Sequence, residues 1–220
     1  MKNKLIYLVA VLLTVCTCYS CSDDDDKDTE DLTGTWKYEN CHLVFDYQDA
    51  NIQLPEGVDL GFINPALSGL TAVPANLAAG FLKEIANDKM SDYFTGIKFV
   101  SNSELEIMMT MDGKAASLKA AYVVQNNVIG VTIDKDALEK IAQKEINIPE
   151  ISLIYKFEDG NLIMYLNKVA VQGMLQTMLP MLVNQIKPDA TPAEIAGITA
   201  YVTGVMNKTN TLEFGVILKR

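Results

Sequence analysis

The chain has 220 residues, 49% of them apolar, with 18 Lys plus Arg against 28 Asp plus Glu and a formal net charge of −10. That apolar share supports a hydrophobic core and excludes a wholly disordered chain. The acidic balance excludes the basic face that nucleic-acid binding requires, and one His with four Cys leaves little material for a His-rich metal site.

Lys2 and Lys4 precede an apolar run over 5–15, which leads into Cys16, Thr17, Cys18, Tyr19, Ser20 and Cys21. A basic start, a short apolar stretch and a small boundary residue predict a secretory signal over 1–20. The alternative is an uncleaved anchor helix, but a span needs about 20 apolar residues and this run falls short. A small residue before a Cys at the end of such a run resembles the bacterial lipobox, where the Cys is acylated and becomes the first residue. The resemblance implies lipidation at Cys21, with Cys18 and Cys16 as rival acceptors. Ser22, Asp23, Asp24, Asp25 and Asp26 follow directly. This run resembles the acidic export tag of Bacteroidetes surface lipoproteins. It implies a lipid-anchored protein of the outer membrane that faces the cell exterior. Seven of the ten residues over 22–31 are acidic, so 21–31 is expected to be a disordered tether. Cys41 is then the one thiol left, unable to form an internal bridge and expected as a small core residue.

One domain is expected over 32–220. Its first strand holds Gly34, Trp36 and Tyr38 and continues through Leu43, Val44 and Phe45. Counting by twos from Trp36, the only Trp, places Tyr38, Asn40 and His42 on its face. The segment over 48–68, rich in Asn, Pro, Gly and Asp, predicts a loop. A helix is predicted over 74–90, with Pro74 at its first position and Leu77, Phe81 and Ile85 on one face, broadened by Leu82.

Strands follow. A short apolar one covers 96–101. Leu105, Ile107, Met109 and Met111 then alternate with Glu104, Glu106, Met108 and Thr110. Asp112-Gly113 predicts a hairpin turn into a strand with Ala116, Leu118, Ala120, Tyr122 and Val124 on one face. Asn126-Asn127 predicts a further turn into 128–133. A short helix is expected over 136–144, with Asp136 and Glu139 as a capping box. Leu153, Tyr155 and Phe157 share a strand face, and Asp159-Gly160 turns into 162–166. The very apolar 168–186 predicts a helix that Pro180 kinks or breaks. Thr191, Pro192 and Glu194 are cap, first-turn proline and capping-box acid of a helix to about Met206. Leu212, Phe214, Val216 and Leu218 alternate in a final strand, placed to pair back with the first.

The fold class is therefore α+β: an antiparallel barrel of about eight strands with inserted helices. Glycine, one residue, then tryptophan at the start of a first strand resembles the lipocalin and calycin signature, in which the Trp packs across the closed end of the barrel. Gly34 and Trp36 carry that structural signature here. With Cys21, its Asp run and the strand order over 32–220, the chain resembles the uncharacterised calycin-like lipoproteins of Bacteroidetes.

Catalytic patterns are missing. The chain has no Gly-x-Ser-x-Gly elbow, zinc-type Cys/His spacing or Gly-rich phosphate loop. Cys41 and His42 are neighbours on a strand and point to opposite faces. Glu104 and Glu106 share a polar strand face and read as solvated rather than as a glycosidase pair. The expectation is a non-enzyme with no catalytic residue, metal or cofactor. Methionine is the compositional oddity, with ten in the chain. Flexible, polarizable Met suits surfaces that accept varied apolar partners as well as ordinary cores. Met109, Met111, Tyr122, Tyr155, Met174 and Met178 are the expected lining of an apolar cavity. Two readings follow: a barrel that binds an apolar or amphipathic small molecule, or a surface protein whose apolar helices bind a partner protein.

Overall fold

The structure is a computed structural model that describes residues 31–56, 67–111, 113–134, 151–186, 189 and 191–220. The expected helix over 136–144, with Asp136 and Glu139, lies outside the described residues, as does Asp112.

Among the described residues the strands, in chain order, are β1 (Gly34–Tyr47), β2 (Asn51–Gln53), β3 (Ala72–Pro74), β4 (Phe94–Phe99), β5 (Glu104–Met111), β6 (Lys114–Gln125), β7 (Val128–Ile133), β8 (Ile151–Glu158), β9 (Asn161–Asn167) and β10 (Thr209–Lys219). Among the described residues, three helices are interspersed: α1 (Ala75–Tyr93), α2 (Lys168–Ile186) and α3 (Pro192–Asn207). Eight strands form a closed antiparallel barrel in the order β1-β10-β9-β8-β7-β6-β5-β4, and β2 pairs with β3 in a separate two-stranded sheet. The last strand does pair back with the first, over ten residue pairs. The hairpins need only two-residue turns: Met111 pairs with Lys114, Gln125 with Val128 and Glu158 with Asn161. Asp159 and Gly160 both take positive φ, 53° and 75°, the backbone that matches the twist of the strands it joins.

The inward faces are those the alternation predicts, with one exception. Trp36 is 2% exposed and sits in the main core cluster with Phe99, Leu105, Leu118, Tyr122, Ile129, Leu162 and Leu218. The register of β1 against β10 slips between Tyr38 and Asn40. One extra residue in a strand reverses every later side chain. Cys41, Leu43 and Phe45 therefore follow Trp36 and Tyr38 into the barrel. His42 does not share the face of Trp36: it lies on the outer wall, opposite Gly215.

The helices form where periodicity and caps place them. At α3 the Glu194 backbone N–H donates to the Thr191 hydroxyl at 3.3 Å, and the Thr191 N–H donates to the Glu194 carboxylate at 2.7 Å, the reciprocal capping box. The helix α2 runs through Pro180 without a break. Pro74 is the last residue of β3 and precedes α1 rather than opening it. The apolar stripe of α1 is also not the face that packs. Leu77, Leu82 and Ile85 are exposed, and α1 instead seats Met90 and Ala86 on the main core. The segment over 48–68 is not wholly irregular, because β2 lies within it. Among the described residues, no helix is long and apolar enough to cross a membrane.

Removing a buried aromatic ring costs about 3–5 kcal/mol, a large part of the ~5–15 kcal/mol that holds a domain together. Trp36→Ala is therefore expected to lower the urea midpoint steeply or prevent folding. Urea unfolding followed by circular dichroism checks this, and a wild-type midpoint would contradict it.

Candidate functional site

The interior has two layers. The first lies at the end where β1 begins. Here the Trp36 indole N–H donates to the Leu32 carbonyl at 2.8 Å, the Tyr122 hydroxyl to the Ser101 carbonyl at 2.8 Å and the Tyr155 hydroxyl to the Asn126 carbonyl at 3.3 Å. Each ring fills the barrel while its polar tip ties down a turn. Burial raises the pKa of both tyrosines, so both stay neutral donors. Arg220 covers the outside of this plug. Its guanidinium lies 4.6 Å from the centre of the Trp36 ring and donates to the carbonyls of Asp31 and Thr33. The sequence pattern does not single out Arg220; the one signal for it is that it is the chain's sole arginine, whose planar guanidinium suits stacking on an aromatic face.

The second layer is at the opposite end. Leu166, Val171, Met174, Met206 and Leu212 form their own cluster, with Leu43, Phe45, Leu175 and Val202 packed around it. The start of α2 and the end of α3 thus cover the mouth. Leu153 and Phe214 touch both clusters and span the space between.

The expected lining divides accordingly. Tyr122 and Tyr155 belong to the closed-end plug. Met109 is buried in the main cluster, and Met111 packs against it, partly accessible. Met174 lies in the mouth cluster. Met178 lies outside the side chains that the structure describes. Ile107, Met111, Ala116, Ile133, Leu153 and Phe214 pack against the main cluster yet remain partly accessible. Ala116, a small residue, faces Met109 across the β5–β6 pair.

A polar spot interrupts this apolar interior where α1 meets β1. The Asn87 side-chain oxygen accepts from the Tyr38 hydroxyl at 2.8 Å and from the Cys41 backbone N–H at 3.1 Å. Burial pushes the Tyr38 hydroxyl far above its ordinary range. Periodicity could not single out Asn87, since a lone polar residue in a helix reads as solvated.

Cys41 and His42 do point to opposite faces. His42 Nε2 lies 2.7 Å from a Glu213 carboxylate oxygen, and its ring lies 5.3 Å from that of Tyr165. Across β1, β10 and β9 the register runs His42, Gly215, Tyr165. A Cβ at Gly215 would lie 2.0 Å from the Met164 carbonyl oxygen, so the two rings cover a position no side chain can occupy. The Cys41 thiol is fully buried, and burial pushes its pKa up to about 11. It is a packed core residue. No group of three or more potential metal ligands is found among the described residues. Cys21, Ser22 and Asp23 to Asp26 lie outside them.

Comparison with protein-family models, curated proteins and solved structures finds no match to this chain.

A thiol with a pKa near 11 is ionised at pH 8 in about one molecule per thousand. With Cys16, Cys18 and Cys21 replaced by Ser, native protein is therefore expected to resist a thiol-specific chromogenic reagent at pH 8, and urea-unfolded protein to react at once. Fast native labelling would contradict the buried placement of Cys41.

Proposed function

We propose that the chain is a surface lipoprotein whose barrel, calycin-like in kind, captures an apolar or amphipathic small molecule without transforming it. One observation carries the binding reading. A belt of apolar side chains, Ile107, Met111, Ala116, Ile133, Leu153 and Phe214, packs against the main core yet stays partly accessible. Ligand sites are typically concave, mostly apolar and supplied with a few polar groups. An eight-stranded barrel is of the width that holds one small ligand. The placement of Trp36 across the sealed end supports the calycin kind. The nearest thiol and imidazole face opposite sides of β1, which supports binding without catalysis.

The lipoprotein part rests on Cys21 and on the Asp run after it. An acyl chain contributes about 0.8 kcal/mol per buried methylene, and stable anchoring takes more than one chain. The anchor then ties the chain to the outer membrane, with the domain outside.

A second reading has its own observation. Leu77, Leu82 and Ile85 lie exposed on α1, and such a stripe suits a partner protein.

Two experiments test the proposal. Ala116→Phe fills the belt, at an overpacking cost of about 1–3 kcal/mol. The variant is expected to fold and to lose the fluorescence enhancement of the apolar probe 1-aminoanthracene that wild type gives, whereas His42→Ala, on the outer wall, retains it. Equal probe binding by wild type and Ala116→Phe would refute the belt as the site. Cys21→Ala is expected to abolish incorporation of labelled palmitate and release the protein from the membrane fraction; undiminished labelling would move the anchor to Cys18 or Cys16.

A further inference from the structure

Lys37 on β1 stands directly opposite Lys219 on β10. Their neighbours Trp36 and Leu218 point into the core, so both lysines point outward, and both are exposed. Residues so placed have Cβ atoms about 4.5–5.5 Å apart, where like charges oppose each other. On its other side Lys37 faces Gly96, which has no side chain to intervene. Two residues further along β4, on the same outward face, is the exposed Lys98. Glu106 stands opposite Lys98 on β5, and Glu39 follows Lys37 on β1. Among the described residues, however, none of the three lysines has a carboxylate within ion-pair distance. A chain with 28 acids and 18 bases thus carries a wall of three cations, two of them in mutual repulsion.

That wall adjoins the point where the acidic stretch joins the domain. Arg220 follows Lys219 and donates to the carbonyls of Asp31 and Thr33. The Asp31 carboxylate accepts from the Thr33 N–H at 2.9 Å. Residues 22–30 hold six acids and one base. Asp26 is five residues from Asp31, a length of up to about 17 Å when extended, which brings the run alongside Lys219 and Lys37.

We propose that the acidic run over 23–28 docks on the Lys37–Lys219–Lys98 wall of its own domain. The run is covalently attached, which gives it an effective concentration in the millimolar range. A separate anionic surface is the poorer match, because the net negative charge of the chain repels it. The contact relieves the Lys37–Lys219 repulsion and occupies the run in the folded protein, while the unfolded chain leaves it open. On the lipoprotein reading above, whatever recognises the run must do so before the domain folds, or displace it. The contact itself does not depend on Cys21.

The test digests the purified chain with endoproteinase Asp-N, which cuts before aspartates, and follows cleavage within 23–28 by mass spectrometry. At about 0.01 M salt, where screening is weak, wild type is expected to be cut about fivefold more slowly than the double variant Lys37→Gln, Lys219→Gln, as for a few exposed ion pairs. Both substitutions are on exposed side chains, and Lys98→Gln should give a smaller change in the same direction. At about 1 M salt, where charges are screened within a few ångströms, the rates should converge. Equal rates at low salt, or a difference that persists at high salt, would overturn the proposal. Protection that appears only with added phosphatidylglycerol vesicles would assign the wall to a membrane and overturn it as well. A chain that loses acylation in Cys21→Ala yet keeps this protection would separate the contact from the anchor.

Discussion

Four residue pairs close the barrel between β1 and β4, and Gly96 makes the closest of them possible. Gly96 faces Lys37 in that pairing, and a Cβ there would lie 2.2 Å from the Trp36 carbonyl oxygen and 3.0 Å from the Lys37 Cα. Its φ of 145° is also a backbone that L side chains rarely adopt. The short seam holds β1 against β4 at the level of Trp36, so the burial of that ring depends on it. Past the seam, among the described residues, it is α1 that meets this edge of β1, through Asn87. A helical asparagine thus carries a hydrogen bond that a strand would otherwise make.

The interior follows from this asymmetry. At the closed end, aromatic rings from four strands meet: Trp36 lies 5.7 Å from Phe157, Tyr155 6.0 Å from Phe157 and Phe99 5.1 Å from Tyr122. Tilted and edge-on rings at these separations pack densely and add to simple burial. At the other end the cover is aliphatic and methionine-rich, made by helices whose side chains repack more easily than locked rings. One end is thus built for rigidity and the other for accommodation.

Much of this was legible in the chain. Alternation over 104–125 and 151–166 set the inward faces, because a strand that buries one side must repeat every two residues. The capping box at Thr191 and Glu194 set the start of α3. The misreadings share one cause: local patterns cannot report a tertiary partner. Counting by twos from Trp36 put His42 inside because an extra residue in β1 leaves no mark on its composition. Leu77, Phe81 and Ile85 have the spacing of a buried stripe, but α1 is held by Ala86, Asn87 and Met90, whose role depends on the edge of β1. Asn87 and Arg220 act through contacts with Tyr38, Cys41 and Trp36, dozens or more positions away.

The pairing of β1 with β10 also sets an order of events. The first strand makes its longest set of hydrogen bonds with β10, so on a growing chain one edge of β1 waits until residues 209–219 have been made. Contacts this far apart in sequence slow folding, and an unpaired edge held open meanwhile is a template for wrong pairing. Asn40, Asp46 and the bulge after Tyr38 lie along that waiting strand, and polar residues and bulges are devices that discourage such pairing. The barrel can close only when β10 is in place, and a chain that loses that strand loses the closure rather than one stave.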